Sequence, residues 1–351
     1  MENLAGLCNL TTFYVYVSVN STTRLTPPQK SLEFKSNNEP KKFKIMNDLK
    51  TNSKHLVSNL KDFHQTLAKI FDCKEAPDIF LMLGSCGHDF LEHGKILNEF
   101  NIDAEKNKYP IFSERLPEFN REGHSRKLVL MDCDGVKVLV QTGKLHYFEG
   151  CSMDQIVFSV RAMGSWGSKY FFVTSMAHSL SENNVEDDDT EQTQNKVAVI
   201  NSHINMVYDS PLRGIDLNIL RKGYYHPNDV YSLNFRNAVI DKLPNQRVDS
   251  FVYRFVPDFS FGTQAEIDEW VREKSIVNQV YGYSLVPESI AANQMGMTVF
   301  ALAEFNLGIS SGKRKTDKTA MLLRKAVEVV LDQKNKLQEN IAKEEVENLK
   351  V

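Results

Sequence analysis

Short apolar runs alternate along this chain with segments of helical periodicity, and this alternation constrains the possible fold more than any other feature. Residues 78–83 (DIFLML) form the first run, which leads directly into Gly84. Similar runs lie at 169–174, 197–200, 251–256 and 298–303. Strands that alternate with helices build layered structures. We therefore expect an α/β fold in which helices flank a mixed β-sheet.

Local patterns predict one hairpin and two long helices. The runs 127–131 and 136–140 flank residues 132–135 (DCDG), and Asp-Gly is typical of a tight hairpin turn. A helix is predicted from about Asn52, because apolar residues recur there at steps of three and four. These residues are Leu56, Leu60, Phe63, Leu67 and Phe71. A second helix is predicted from Lys318 to about Leu349.

The chain is expected to contain one folded domain, over residues 49–335. Residues 1–48 are rich in Ser, Thr, Pro, Asn and Lys, which predicts a disordered tail. Residues 336–351 are expected to form the end of the C-terminal helix and a short tail. The stretch 179–195 carries an acidic run and predicts a solvated loop inserted into the domain.

Charge and cysteine content argue against several classes of protein. The net charge is −3 and the pI is about 6.3, so the chain lacks the basic character typical of nucleic-acid binding. Residues 3–19 have no basic flank and are interrupted by polar residues, which argues against a signal peptide or a membrane span. The five cysteines show no metal-binding spacing. This predicts reduced thiols, a cytoplasmic location and no bound metal.

Two glycine-containing segments are candidates for binding an oxyanion. Residues 143–150 (GKLHYFEG) follow the hairpin and bring Lys144, His146 and Glu149 close together. A cation, an imidazole and a carboxylate at this spacing can bind an anion and orient it. Residues 84–87 (GSCG) follow the first strand and form a second candidate cradle for an anion. Together the two segments indicate phosphate chemistry.

Other interpretations of these residues have less support. Residues 84–88 (GSCGH) do not match the GxSxG of a hydrolase nucleophile, and no triad can be assigned to Ser85 or Cys86. His88, Asp89 and His93 fit a solvated helix face better than a metal site. The sequence contains neither GxxxxGK[ST] nor GxGxxG, the two common nucleotide-binding loops.

A series of short motifs carries a resemblance to a known family. In order they are 84–85 (GS), 123–125 (GHS), 144–150 (KLHYFEG), 203–205 (HIN), 210–214 (SPLRG), 259–266 (FSFGTQAE), 283–288 (YSLVPE) and Asn306. In this order and spacing, the chain resembles the trimeric purine nucleoside phosphorylase family over residues 56–331. The resemblance implies a single domain with a distorted mixed sheet, and a homotrimer. It also implies that inorganic phosphate splits a purine nucleoside into free base and ribose 1-phosphate, with no metal or organic cofactor.

The resemblance assigns residues to both substrates. Phosphate is expected to contact Ser85, Lys144, His146, Ser284 and the backbone amide of Met176. The nucleoside is expected to contact His124, Glu149, Tyr253, Phe261, Tyr283 and Asn306. Phe261 would stack on the base, Tyr253 would lie at the ribose, and Asn306 would hydrogen-bond N7 as negative charge builds in the departing purine. His146 and Asn306 are therefore the expected catalytic residues.

The chain departs from the family pattern at several positions. Gly262 stands where the family has a glutamate that recognises the base, and Lys144 replaces an arginine. Residues 175–179 (SMAHS) lack a pair of glycines, which predicts a loop of different shape. Phe305 replaces a small hydroxyl residue. Two hypotheses therefore stay open: a working phosphorylase with altered base selectivity, or a catalytically inactive protein that binds a ligand or a partner.

Overall fold

A computed structural model describes most of the chain. The described residues are 39–116, 126–180, 196–215, 220, 227–244, 248–258, 262–272, 276, 278–305 and 317–348, and for 39–51, 227, 317 and 341–348 only the backbone is described. The tail over 1–38 and the acidic stretch 181–195 lie outside these ranges. The chain divides into two units, Met1–Lys44 and Ile45–Val351.

The strands and helices follow the alternation expected from the sequence. The strands are β1 (Ile79–Leu83), β2 (Lys95–Asn101), β3 (Lys127–Cys133), β4 (Val136–Thr142), β5 (Tyr170–Ser179), β6 (Lys196–Asn205), β7 (Ser250–Phe255), β8 (Gln279–Gly282) and β9 (Thr298–Phe305). The helices are α1 (Glu39–Ile70), α2 (Ile102–Glu105), α3 (Pro110–Arg115), α4 (Met153–Ile156), α5 (Phe158–Trp166), α6 (Leu233–Asp241), α7 (Gln264–Val271), α8 (Val286–Gln294) and α9 (Asp317–Asn348).

The strands form one mixed sheet in the order β2-β3-β4-β1-β5-β8-β7-β6-β9. Strand β1 is parallel to both β4 and β5, whereas β2, β3 and β4 pair in antiparallel fashion. Strand β9 pairs with β5 as well as with β6, so the second half of the sheet closes on itself. The hairpin prediction is confirmed: Asp134 and Gly135 form the turn between β3 and β4 with φ of 56° and 90°.

Helices cover both faces of the sheet, as the periodic segments predict. On one face α1 contributes Leu60, Phe63 and Leu67 to the core. On the other face α9 contributes Leu323 and Val330, which have no exposed surface. The bounds of α1 correct the prediction, because the helix begins at Glu39 and includes residues 39–48, which were assigned to the tail. Pro40 fits the first turn, where its missing N–H costs no hydrogen bond, and no helix breaker follows it before Asn52.

None of the helices within the described residues is both long and apolar enough to cross a lipid bilayer.

Candidate active site

The two predicted anion-binding segments lie side by side, at the carboxyl ends of three parallel strands. Strand β1 runs between β4 and β5, with Leu83 paired to Thr142. The amide of Gly143 donates to the carbonyl of Leu83 over 3.0 Å, and the amide of Gly84 donates to the Thr174 hydroxyl over 3.1 Å. Ligands of α/β sheets commonly bind at such strand ends. The register therefore brings the serine turn beside the lysine segment.

Gly84 makes this close approach possible. A Cβ atom at Gly84 would lie 2.8 Å from the carbonyl oxygen of Thr174 and 3.4 Å from Cε of Lys144. Any other residue would force the β1 turn away from β5. Ser85, the next residue, is exposed to solvent, and the predicted phosphate-binding hydroxyl therefore lies at the surface of the site.

Lys144 lies at the centre of a buried polar cluster. Its Nζ donates to the carbonyl of Thr174 over 2.9 Å and to Oγ of Ser284 over 3.1 Å. Glu288 Oε1 is 3.8 Å from the same nitrogen, and both side chains are only 1% exposed. Burial lowers the pKa of Lys144, while the nearby Glu288 carboxylate opposes this shift.

Serine and tyrosine hydroxyls complete this cluster. The Oγ atoms of Ser175 and Ser284 are 2.6 Å apart, and the Tyr253 hydroxyl lies 3.4 Å from Ser175 Oγ. The backbone amide of Ser284 donates to the Tyr253 oxygen over 3.4 Å. Tyr253 is completely buried, and burial raises its pKa. Tyr253, the predicted ribose contact, therefore meets Ser175 and Ser284 from inside the fold.

His146 and Glu149 form a second unit of the site. One carboxylate oxygen of Glu149 lies 3.0 Å from Nδ1 of His146 and accepts the His146 backbone N–H over 2.9 Å. The imidazole stacks on Phe148 and meets the edge of Tyr283, with ring centroids 5.1 and 5.8 Å away. A carboxylate at Nδ1 favours the tautomer with hydrogen on that nitrogen. The ring is therefore held by both hydrogen bonding and packing.

One pocket connects the lysine and the histidine. Lys144, His146 and Glu149 line it, together with Gln141 and Arg126. The structure thus brings together most of the predicted phosphate-side residues: the Lys144 segment borders the Gly84 turn, and Ser284 reaches it from the end of β8.

The segment after Thr174 differs from the loop predicted there. Strand β5 continues through Ser179, and it pairs with β9 as far as Ala177 and with β8 at His178 and Ser179. Met176 is half-buried within this strand, opposite Glu304. Without the glycine pair, the backbone keeps the extended conformation that β-pairing stabilises.

Three predicted nucleoside contacts, His124, Phe261 and Asn306, lie outside the described residues. Gly262 is described and has φ of 73°, in the left-handed region. A Cβ atom there would lie 3.1 Å from the ring of Trp270. Both the backbone conformation and the space at this position therefore favour glycine, where the resemblance implies a base-recognising glutamate.

We expect the substitution Gly262→Glu to lower the free energy of unfolding by about 1–2 kcal/mol, because any side chain is strained at this φ. Urea denaturation of the variant checks this effect, with Gly262→Asn as a matched control that tolerates positive φ better. A Gly262→Glu protein as stable as the original chain would contradict this account.

The structure also describes Cys86 and His88, for which the sequence left the roles of nucleophile and metal ligand with less support. The Cys86 thiol is buried and donates to the Ser175 carbonyl, with 3.3 Å between the sulfur and the oxygen. Burial, helped by the charge of Glu304, raises its pKa to about 12, so it is protonated at neutral pH. Nε2 of His88 is 2.9 Å from the Gly84 carbonyl oxygen. Among the side chains of the described ranges, no cluster of three His, Cys, Asp or Glu residues could hold a metal ion.

Two members of the site, Thr174 and Glu288, were not predicted from the sequence. The Thr174 hydroxyl accepts from the Gly84 amide and donates to the Cys86 carbonyl over 2.9 Å, so it fixes the serine turn. Glu288 follows Pro287 in the first turn of α8 and is 1% exposed. A carboxylate within the apolar stretch Leu285–Ala292 was the available signal, since an acidic residue is rarely buried without a partner.

Comparison with known proteins identifies the relatives of this fold. The family model described as "Phosphorylase superfamily" matches residues 99–322. Purine nucleoside phosphorylase 1 of Bacillus subtilis is 30% identical over 234 residues, which cover 65% of this chain and 78% of that protein. Purine nucleoside phosphorylase of Mus musculus is 28% identical over 236 residues, covering 65% and 74%.

Solved structures show the same fold. The purine nucleoside phosphorylase from Schistosoma mansoni, in complex with acetate, superposes with a TM-score of 0.62 at 21% identity, over 77% of this chain and 96% of that one. This likeness confirms the expected α/β architecture with a mixed sheet between helices. Together with the family match and the bacterial relative, it leads to one conclusion: the chain belongs to the phosphorylase superfamily, as a divergent member of its purine nucleoside phosphorylase family.

Proposed function

We propose that this protein is a purine nucleoside phosphorylase with altered base selectivity. It would cleave the N-glycosidic bond with inorganic phosphate and release the free base and ribose 1-phosphate. The observation that carries this proposal is the convergence of three strand ends and Ser284 around the buried Lys144, beside the His146–Glu149 pair. Family membership supports the reaction type.

The phosphate side of the reaction follows from the types of group present. Lys144 supplies positive charge, and Ser85 and Ser284 supply hydroxyl donors. His146, oriented by Glu149, supplies an imidazole in the pocket that Lys144 also lines. The Met176 amide is proposed as a further donor. Fixed donors of this kind orient an anion without reorganising when the reaction occurs.

The bond changes are those of a nucleophilic displacement at the sugar. A phosphate oxygen forms a bond to the anomeric carbon while the bond from that carbon to the purine nitrogen breaks. The electron pair of the broken bond moves into the purine ring, where Asn306 is proposed to hydrogen-bond N7. Tyr253 and Tyr283 are proposed on the ribose side, His124 is proposed near the phosphate, and Phe261 is proposed to stack on the base. No metal or organic cofactor takes part in this scheme.

The proposed change in selectivity rests on Gly262. A hydrogen bond to a charged group is worth about 1.5–3 kcal/mol net. Loss of the glutamate that recognises 6-oxopurines would then weaken their use about ten- to a hundredfold, since 1.4 kcal/mol corresponds to a tenfold change. Phe305 directly precedes Asn306 in the sequence, and its side chain is buried. We propose that it makes the base-binding region more apolar.

A panel of nucleosides tests the proposal. Purified protein is incubated with inosine, guanosine, adenosine or uridine, each with and without phosphate, and base release is followed by chromatography. We expect phosphate-dependent release from at least one purine nucleoside and none from uridine. If no nucleoside yields base, the catalytically inactive ligand- or partner-binding protein becomes the better account. Light scattering on the same sample tests the proposed homotrimer.

A further inference from the structure

Glu288 is a buried carboxylate that the proposed chemistry does not use. It lies in the first turn of α8 and is 1% exposed. Within the described residues, neither of its oxygens accepts a hydrogen bond. The positive charge that pairs with it is the Lys144 ammonium. The distance from Glu288 Oε1 to Lys144 Nζ is 3.8 Å, which is too long for a hydrogen bond. A carboxylate in this position is compensated by the charge of Lys144 and by no hydrogen bond in the described part of the chain.

The contacts of Lys144 have a consequence for phosphate. The ammonium has three N–H donors. Two of them are directed to Thr174 and Ser284, and Glu288 neutralises the charge. The buried pair therefore presents no net charge to an anion at Ser284. A phosphate dianion placed there would add negative charge beside a carboxylate already inside the fold.

Other charged and titratable groups around α8 do not relieve this conflict. The Tyr253 hydroxyl on β7 and the Cys86 thiol next to β1 are both held protonated by burial. The elements packed against α8 also carry Asp154 on α4, Arg161 on α5, Tyr170 and His178 on β5, and Glu304 on β9. Arg161 binds Asp154 over 2.8 Å and also binds the Pro211 carbonyl, while Glu304 accepts from Thr319 over 3.2 Å. Three other charged or titratable side chains line the pocket beside Lys144: Arg126, which pairs with Asp103 over 2.7 Å, and His146 with its partner Glu149.

We propose that Glu288 couples phosphate binding to the uptake of one proton from solvent, so that the charge of Lys144 becomes available to the anion. In the free protein the Glu288 carboxylate pairs with the Lys144 ammonium. In the phosphate complex its carboxylate carries a proton and is neutral. The inference rests on the proposed function, because it assumes that phosphate binds at Ser284 and Lys144. It makes Glu288 a positioning residue that sets phosphate affinity and its pH dependence.

Calorimetric titration with inorganic phosphate at pH 7, in two buffers of different ionisation enthalpy, measures the proton uptake. The original chain should take up close to one proton more per phosphate than the Glu288→Gln variant. That variant should also bind phosphate at least tenfold more tightly, although it unfolds at lower urea concentration. If Glu288 had a purely structural role, the variant would lose phosphate affinity together with its resistance to urea. Glu92→Gln, at an exposed position, is the matched control and should change neither.

The variant His146→Ala tests whether the proton goes to the imidazole of His146 and not to Glu288. It should bind phosphate more weakly but keep the same uptake, and this comparison still tests the inference if Glu288→Gln does not fold. Loss of the uptake in His146→Ala would assign the proton to His146 and overturn the inference. Equal uptake and equal affinity in the original chain and Glu288→Gln would also overturn it, while leaving the proposed function intact. If neither folded protein binds phosphate, the proposed function fails first and the inference fails with it.

Discussion

Replacing Lys144 with methionine is expected to lower the free energy of unfolding by about 3–5 kcal/mol, because it leaves the Glu288 carboxylate buried without its opposite charge. The substitution also removes the hydrogen bonds to the Thr174 carbonyl and the Ser284 hydroxyl. We expect phosphate-dependent cleavage to be lost at the same time. Urea denaturation, followed by the fluorescence of Trp166 and Trp270, measures the first effect.

Two control variants test whether the loss of stability comes from the buried Lys144–Glu288 pair. Lys137→Met changes a lysine that pairs with Asp132 and is 42% exposed, and exposed pairs contribute only about 0–1 kcal/mol. The double variant Lys144→Met/Glu288→Met should regain much of the lost stability, because no charge is then left in the core. A Lys144→Met protein as stable as the original chain would contradict the buried pair described above.

His146→Ala should lower kcat/KM for phosphorolysis by about 10²–10³-fold, the usual cost of removing one fixed donor to a reacting anion. The imidazole lines the pocket beside Lys144, and Glu149 orients it through Nδ1. The loss should appear in the dependence of rate on phosphate concentration as well as in the maximal rate. Steady-state assays at varied phosphate concentration measure both.

His93→Ala is the matched control, because His93 is exposed and lies outside the pocket that His146 lines. It should leave kcat/KM unchanged. Circular dichroism must show that His146→Ala is folded, since the ring also packs against Phe148 and Tyr283. An unchanged rate in a folded His146→Ala protein would reject the assignment of His146 to the site.

Most of the architecture could be predicted from the sequence, because the strands of the central sheet are continuous apolar runs. The residues of β1, Ile79–Leu83, are all buried, and buried parallel strands have this pattern. Strand β2, Lys95–Asn101, was missed because six of its seven residues are exposed. Among the described strands it pairs only with β3, and its sequence lacks the alternation that marks a half-buried strand. Strand β8 was missed because it has only four residues.

The site could be predicted less completely, because its contacts join residues that are far apart in the chain. Lys144 and Ser284 were both predicted, yet their direct hydrogen bond spans 140 positions and no local pattern indicates it. Glu288 and Thr174 were missed because their importance comes from the neighbours they meet after folding. The space for a side chain at Gly262 is likewise limited by Trp270, which lies in the following helix. Local sequence identifies candidate groups, and the register of β1, β4 and β5 determines which of them meet.

The most direct test of the central claim is ³¹P NMR of the purified protein with phosphate and the best purine nucleoside of the panel. The account predicts that the phosphate signal falls as a ribose 1-phosphate signal grows, in proportion to the base released. Base release with no loss of inorganic phosphate would show that water, and not a bound phosphate, attacks the sugar. That result would contradict the assignment of Ser85, Lys144, His146 and Ser284 to a phosphate site.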